Sequence, residues 1–404
     1  MDTTDVVISG AGIAGTAAAY WLSRAGLSVT VVERAPEPRR GGQAVDLRGA
    51  GRTAVGRMGL LEAAREIAVQ QEGFEMLGPT GKSLGRIGVD AFGGNGVVSE
   101  IEILRGDLAE LLYRATIPDV EYVFDDTITG IEQDADGVAI TLEKSEPRRC
   151  RLLIGADGSH SIVRRLAFAD EPNALHPLNC YNSWFTLTDS PIDTGGWFQM
   201  FNAPGGLVAG VRPGRLPGEI KAGLSFRSGP ITYDRRDVAA QQELLAQRFA
   251  GVGWQVPQIL AGMRRADDFF FDSVDQVRLS SWHRGRVVLL GDAGYSPTSL
   301  TGLGTSLALV GAYVLAGEYA GADDHRAALD NYRRIMLGYV TQAQRVPGGG
   351  AAGYAPNTLL MIRLRAISMT AMTHWPWNKL IAGQFSKADA IDLPSYDFDT
   401  LRTA

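Results

Sequence analysis

Two cysteines in 404 residues, Cys150 and Cys180, exclude a disulfide framework and fit a chain kept in a reducing compartment, the cytoplasm. Histidine is also scarce. The five present, His160, His176, His283, His325 and His374, stand at no metal-ligand spacing from one another or from a cysteine, so no metal site is expected. No GxSxG elbow occurs, which counts against a serine hydrolase. Positive charge is not in excess: 39 Lys and Arg face 45 Asp and Glu, and a net charge of −6 argues against nucleic acid or an anionic membrane as partner. Long apolar runs are missing too. The most apolar stretch, 303–319, is too short and too small-sided to span a bilayer and reads as a buried helix. The opening MDTTDVVISG has no basic region before its apolar run and does not read as a signal peptide. No internal repeat or low-complexity tract appears.

What is present describes a globular chain with ample core, 45% hydrophobic and 21% charged, and long enough for two intertwined domains. Near the N-terminus DVVISG, an Ala-rich segment at 13–25 and SVTVVER alternate, as do the later runs RRCRLLIGADG and RVVLLGDA. Continuous Val/Ile/Leu runs alternating with helices predict an α/β fold with a parallel sheet covered on both faces. Between about 178 and 271 the texture changes to alternating polar and apolar residues punctuated by turns, as in GWFQMFNAPGGLVAGVRPG and EIKAGLSFRSG. That pattern predicts antiparallel sheet, so the plan is a doubly wound domain interrupted by a β-rich insertion. A helix is expected from about 357 to 372, and DRRDVAAQQELLAQRFAG (234–251) reads as a helix with one solvated face.

The first chemical signal is GAGIAG at 10–15, which follows a strand and opens a helix. Gly10 allows the tight turn, Gly12 lets a pyrophosphate approach the backbone, and Gly15 lets helix and strand pack closely. Free N–H groups at Ile13 and Ala14 and the positive helix end favour phosphate. Glu33 ends the second strand, where a carboxylate can accept hydrogen bonds from an adenosine ribose and disfavours a 2′-phosphate. Arg34 follows it. By this motif alone FAD and NAD both stay open.

Two further turns lie downstream. LLIGADGSHSIVRR places Gly155, Asp157 and Gly158 at a strand end, followed by Ser161, Arg164 and Arg165. GDAGYSPTSLTGLG places Gly291 and Asp292 at another strand end, followed by Pro297, Gly302, Leu303, Gly304 and Thr305. With GxGxxG, DG and GD in this order, the chain resembles the class A flavoprotein monooxygenases, the p-hydroxybenzoate hydroxylase family, over roughly residues 4–345. GGQAVDLRGAG, ILRGDLAELL, GWFQMFNAPGG and GLSFRS look, more narrowly, like segments of the tetracycline-inactivating monooxygenases.

The resemblance implies FAD as cofactor, with NAD(P)H as a transient reductant and O2 as co-substrate. It implies that Gly42, Gln43 and Arg105 reach the FAD and that Asp292 binds its ribityl or pyrophosphate part. Backbone amides at 302–305 should face the pyrimidine edge, where reduced flavin carries negative charge that fixed donors stabilise. Asp157, Gly158, Gly291 and Pro297 complete the expected cofactor set. Gln199, Arg212 and Lys221 are the residues expected to face substrate on the β-rich sheet. No side chain is assigned as catalyst, because the flavin hydroperoxide carries the hard chemistry.

The implied layout is an FAD-binding domain from 1–75, 100–175 and 275–345, a substrate domain from 76–99 and 176–274, and a C-terminal helical segment from 346–404. The implied activity is oxygen insertion, by hydroxylation or Baeyer–Villiger reaction, into a bulky aromatic or polycyclic small molecule, in a monomer or weak homodimer. A flavoprotein oxidase or dehydrogenase and a redox-neutral flavin-bearing cyclase are the alternatives on the same fold.

Three features depart from the relatives. Tyr295 stands where the GD motif commonly has histidine, and Val310 and Gly311 stand where an acid often follows on the next helix. Lys221 replaces a histidine of the tetracycline-inactivating enzymes, so tetracycline is not expected as substrate. Met361, Leu364, Met369 and Met372 with Trp375 read first as packing and alternatively as a pocket mouth.

Overall fold

The computed structural model describes residues 2–39, 41–91, 99–346, 348–372 and 386–401. Its first sheet is built from the apolar runs read in the sequence. Val287–Leu289, Arg148–Gly155, Asp2–Ser9, Val29–Glu33 and Glu121–Phe124 lie side by side in that order, all parallel. An antiparallel strand, His283–Arg284, edges one side, and the hairpin of Ile128–Gln133 and Val138–Leu142 extends from Arg148–Gly155. Val6, Val7, Ile8, Leu152, Leu153 and Ile154 are fully buried, as strands covered on both faces require. The Ala-rich helix Ile13–Arg24 packs against the helix Gly304–Ala320, and small residues on both bring the two backbones close. Gly304–Ala320 is the apolar stretch expected as a buried helix, and it is buried from Thr305 to Gly317. Among the described residues no helix is long and apolar enough to cross a membrane.

The second sheet has seven strands in the order Phe270–Val277, Leu175–Leu187, Ile220–Arg227, Leu207–Pro213, Trp197–Ala203, Gly73–Leu77 and Ser83–Gly88. It is antiparallel except where Trp197–Ala203 runs beside Gly73–Leu77. The strand Gly73–Leu77 starts ahead of the expected boundary at 76, and Phe270–Val277 runs past the expected boundary at 274. One face of this sheet carries Phe185, Phe201, Val211 and Leu224 beneath the helices Val238–Arg248 and Val256–Met263. Asp237 caps the first of these helices by accepting from the Ala240 amide at 2.9 Å. The opposite face looks toward the first domain, and this asymmetry positions the site.

At one end of that inner face the helix Leu359–Met372 packs Ala366 and Met369 onto Phe74, Met76, Met200 and Val208. Met361 and Leu364 point outward and are exposed, so of the expected stripe it is Met369 that meets the sheet. The side chain of Met372 and all of Trp375 lie outside the described residues. The tail then returns to the first domain. Phe398 stacks on Trp21 with ring centroids 4.7 Å apart, and Tyr396 fills the space beside Gly317.

Candidate cofactor and substrate site

Gly10 sits at φ +103°, a conformation that L side chains rarely adopt, and a Cβ there would lie 2.7 Å from the Ala156 carbonyl oxygen. A Cβ on Gly15 would lie 1.9 Å from the Gly10 carbonyl oxygen, so helix and turn close up only around glycine. The first intrahelical bond runs from the Thr16 amide to the Gly12 carbonyl at 3.0 Å, which leaves the N–H groups of Ile13, Ala14 and Gly15 at the open helix end. The Glu33 carboxylate accepts from the amides of Ala11 at 2.9 Å and Ala35 at 2.8 Å, tying the strand end to the turn. Each of its oxygens keeps a lone pair for a further donor. Arg34 is exposed.

From this turn a cleft runs toward the GD motif. A Cβ on Gly12 would come within 3.8 Å of the Arg105 guanidinium. Arg105 opens the helix Arg105–Arg114, and the 41–43 loop is pinned to it. The Arg105 amide donates to the Gln43 carbonyl at 3.0 Å, and the Gly106 amide donates to the Gly41 carbonyl at 2.9 Å. A side chain on Gly42 would meet Arg105 Cβ at 3.6 Å.

Arg105 and Asp292 face each other through space. Protein surrounds both, yet both keep surface open to water, as groups on the walls of a deep cleft do. Burial pushes the Asp292 carboxyl above the usual carboxylate range, opposed by Arg105 and a hydrogen bond from Ser296. Burial likewise pulls the Arg105 guanidinium down, opposed by Asp292 and Glu33.

The GD turn closes the cleft. A Cβ on Gly291 would sit 3.0 Å from Ala14 Cβ, which brings the two glycine turns into direct contact. Pro297 is buried and offers its carbonyl to Gln276 Nε2 at 3.0 Å. Thr298, at φ +86°, and Gly302, at φ +65°, bend the loop into the helix Gly304–Ala320. The first bond of that helix runs from the Leu307 amide to the Leu303 carbonyl at 2.9 Å, so the amides of Gly304 and Thr305 stand at its open end. A Cβ on Gly304 would lie 3.8 Å from Asp292 Oδ1. A Cβ on Gly302 would lie 3.0 Å from Asp46 Oδ2 and 3.7 Å from Arg48 Nη2. Asp46 and Arg48 are not among the residues the sequence motifs single out. Their signal was two charges, two residues apart, in the otherwise apolar AVDLR.

The DG motif acts as scaffold. Asp157 accepts from the Ser161 hydroxyl and from the amides of Ile162 at 2.7 Å and Val163 at 3.2 Å, holding the start of the helix Ile162–Ala167. Arg164 donates to the Ala293 carbonyl at 2.8 Å and so fastens this turn to the GD turn. Gly158 faces open space.

On the second sheet Arg212 and Lys221 are directly opposed across neighbouring strands and share the inner face. Arg212 is ion-paired with Glu102, donates to Gln71 Oε1 at 2.7 Å and lies over the Phe198 ring. Burial lowers its guanidinium to about 10, with Asp46 opposing. Lys221 donates to the Thr186 hydroxyl and lies 3.5 Å from Asp268.

Gln199 corrects the expectation. It pairs with Val211 and Glu75, whose side chains lie on the helix-covered side of the sheet, and its amide donates to Glu75 Oε2 at 3.2 Å and the Thr194 carbonyl at 3.4 Å. The two-residue period of a strand puts it on the opposite face from Arg212 and Lys221. Among the described residues no group of three or more His, Cys, Asp or Glu is arranged to hold a metal.

Two phosphate-compatible turns in contact, a cation and an anion on the walls beside them, and a second sheet over the open side are the features of an FAD-binding fold. A family model described as "FAD binding domain" matches residues 3–344, and the chain belongs to that family. An uncharacterised protein of Mycobacterium tuberculosis is 44% identical over 353 residues, 87% of this chain and 94% of that protein. A flavin-dependent monooxygenase of Legionella longbeachae is 36% identical over 345 residues, 84% of this chain and 87% of that one. The crystal structure of tetracycline destructase Tet(55) superposes with a TM-score of 0.82 at 31% identity, covering 98% of this chain and 100% of that chain. The chain is an FAD-dependent monooxygenase.

Proposed function

We propose that the enzyme consumes NAD(P)H and O2 and inserts one oxygen atom into a bulky aromatic or polycyclic small molecule held against the inner face of the second sheet. The observation that carries this reading is the succession Gly12, Arg105, Asp292 and Gly304 along one cleft, with a polar and aromatic sheet face over its open side. When bound, FAD supplies the electron store and the oxygen-activating centre. The chain's own residues do the rest.

The amides of Ile13, Ala14 and Gly15 would take the pyrophosphate, and Glu33 the ribose hydroxyls. Arg105 and Asp292 would hold the middle of the cofactor. The amides of Gly304 and Thr305, with the bend at Gly302, would offer donors where the ring gathers negative charge. Asp46 and Arg48 stand beside that bend. Asp157 contributes through the turn it fixes. Arg212 and Lys221, held by Glu102 and Asp268, would form the fixed polar floor of the substrate side, and the apolar sheet residues around them exclude water.

The same allocation makes the parallel-sheet segments the cofactor unit, with 73–88 and 175–277 as the substrate unit. The name of the Legionella relative, a flavin-dependent monooxygenase, supports the monooxygenase class. Lys221, committed to Thr186 and Asp268, gives no support for a tetracycline substrate.

Purified protein carrying FAD should oxidise NAD(P)H faster with substrate, and ¹⁸O2 should label the product. Unlabelled product with no NAD(P)H consumption would overturn the reading in favour of oxidase or redox-neutral chemistry.

A further inference from the structure

Strand register sorts the inner face of the second sheet into rows. One row runs Met200, Gly210, Gly223, Trp184 and Phe270 across five strands. Two glycines side by side in the middle of a sheet weaken it, so they need a reason. Here the reason is two rings. A Cβ on Gly223 would lie 3.0 Å from Cε3 and Cζ3 of Trp184, and a Cβ on Gly210 would lie 3.2 Å from Cε2 of Phe198. Both rings use the space that bare backbone leaves, tilted 53° to each other, and Trp184 and Phe198 are only partly buried. On the next strand Phe270, opposite Trp184, is 47% exposed although it looks toward the first domain.

The flanking residues fix where this platform sits. Two positions before Trp184, Asn182 donates to the Ser299 hydroxyl in the GD loop at 3.0 Å. Two positions after it, Thr186 donates to Asp268, which abuts Gly41 beside Arg105. Trp184 therefore lies midway between two anchors to the cofactor domain. The cations on or against this face already have partners within the protein. Arg212 pairs with Glu102 and Lys221 with Asp268, while Arg365, against Met200, donates to the Asn202 side-chain oxygen at 3.0 Å and to the Tyr354 carbonyl, so an ionised substrate meets donors that are taken.

We propose that Trp184, set against Gly223, is the stacking platform that sets substrate class, and that the class is neutral, flat, fused aromatic ring systems, with Phe270 as the adjoining wall. This rests on the monooxygenase reading and names the substrate of the same site. Stacking on an exposed aromatic ring adds to area burial and rewards each further fused ring, whereas a monocyclic anion gains little from it.

The test is calorimetric binding to the FAD-loaded enzyme of 1-hydroxyanthraquinone, anthraquinone-2-carboxylate and 4-hydroxybenzoate. The expected order of affinity is the order given. Trp184→Ala should cost the neutral tricycle about tenfold, Trp184→Phe should keep most of its affinity, and Gly223→Ala should mimic Trp184→Ala by lifting the ring. Flavin content and thermal midpoint report folding in each variant. A Trp184→Ala enzyme that keeps its flavin and its preference for the tricycle overturns the proposal, as does wild type binding 4-hydroxybenzoate best or binding neither anthraquinone. Stacking preference without NAD(P)H oxidation or ¹⁸O incorporation for any probe would leave the platform standing and count against the monooxygenase reading alone.

Discussion

The Tyr295 hydroxyl occupies the place where Gly311 would carry a side chain: a Cβ there would lie 2.2 Å from the phenolic oxygen. Tyr295 is buried, packs its ring 4.6 Å from Trp282 and shares a 2.7 Å hydrogen bond with the Tyr332 hydroxyl. The two departures noted in the sequence, a tyrosine in place of the histidine and a glycine in place of the following acid, are one exchange. The larger ring needs the missing side chain.

Gly311→Asp alone should therefore destabilise the protein by about 1–3 kcal/mol through overpacking and a buried charge. Adding Tyr295→His should recover much of that loss. A double-mutant cycle followed by thermal unfolding checks it, and additive single effects would show the two positions to be independent.

The same pair predicts a pH response. Burial raises the Tyr295 phenol to about 12, against an ordinary value of 10, and raises Tyr332 well above it too. Both stay protonated in the folded state while unfolded tyrosines ionise, so their contribution is complete below pH 10 and fades as the pH rises above it. Each contributes a slope of about 1.4 kcal/mol per pH unit between the two values. Tyr295→Phe should flatten the fall of the thermal midpoint between pH 10 and 12.

The two glycine turns were legible in the sequence because their glycines are obligatory. Gly10, Gly15 and Gly291 each meet backbone or a neighbouring Cβ at 3.0 Å or less where a side chain would be, and a short motif records that directly. The substrate face was not legible. Gln199 and Arg212 sit in one hairpin, and which residues share a face depends on a register that the loop between the strands sets. Trp184 is illegible for the same reason: nothing local tells that its ring meets Gly223. Asp46 and Arg48 look like a surface pair until the helix start at Gly304 is brought beside them. The return of Phe398 onto Trp21 joins the two ends of the chain, and no local pattern encodes it.

Gln199→Ala should leave substrate affinity and flavin content unchanged, because its amide serves Glu75 on the helix-covered side. A loss of about 1 kcal/mol in unfolding stability is the expected effect. A rise in substrate Kd without a change in stability would put Gln199 back on the substrate wall.

Arg212→Met should cost about 3–5 kcal/mol, since it strands the buried Glu102 carboxylate without its ion-pair partner. Arg212→Met combined with Glu102→Leu should regain most of this stability. If the single variant unfolds like wild type, the pair is not buried as described.

The central claim is that the two glycine turns hold the two halves of one FAD. Titration of FAD into the flavin-stripped protein, followed by calorimetry, tests it most directly. The account predicts one FAD per chain, with Gly12→Val and Asp292→Ala each weakening that single event by tenfold or more, about 1.4 kcal/mol. Two independent nucleotide-binding events, or Asp292→Ala binding FAD as tightly as wild type, would contradict it.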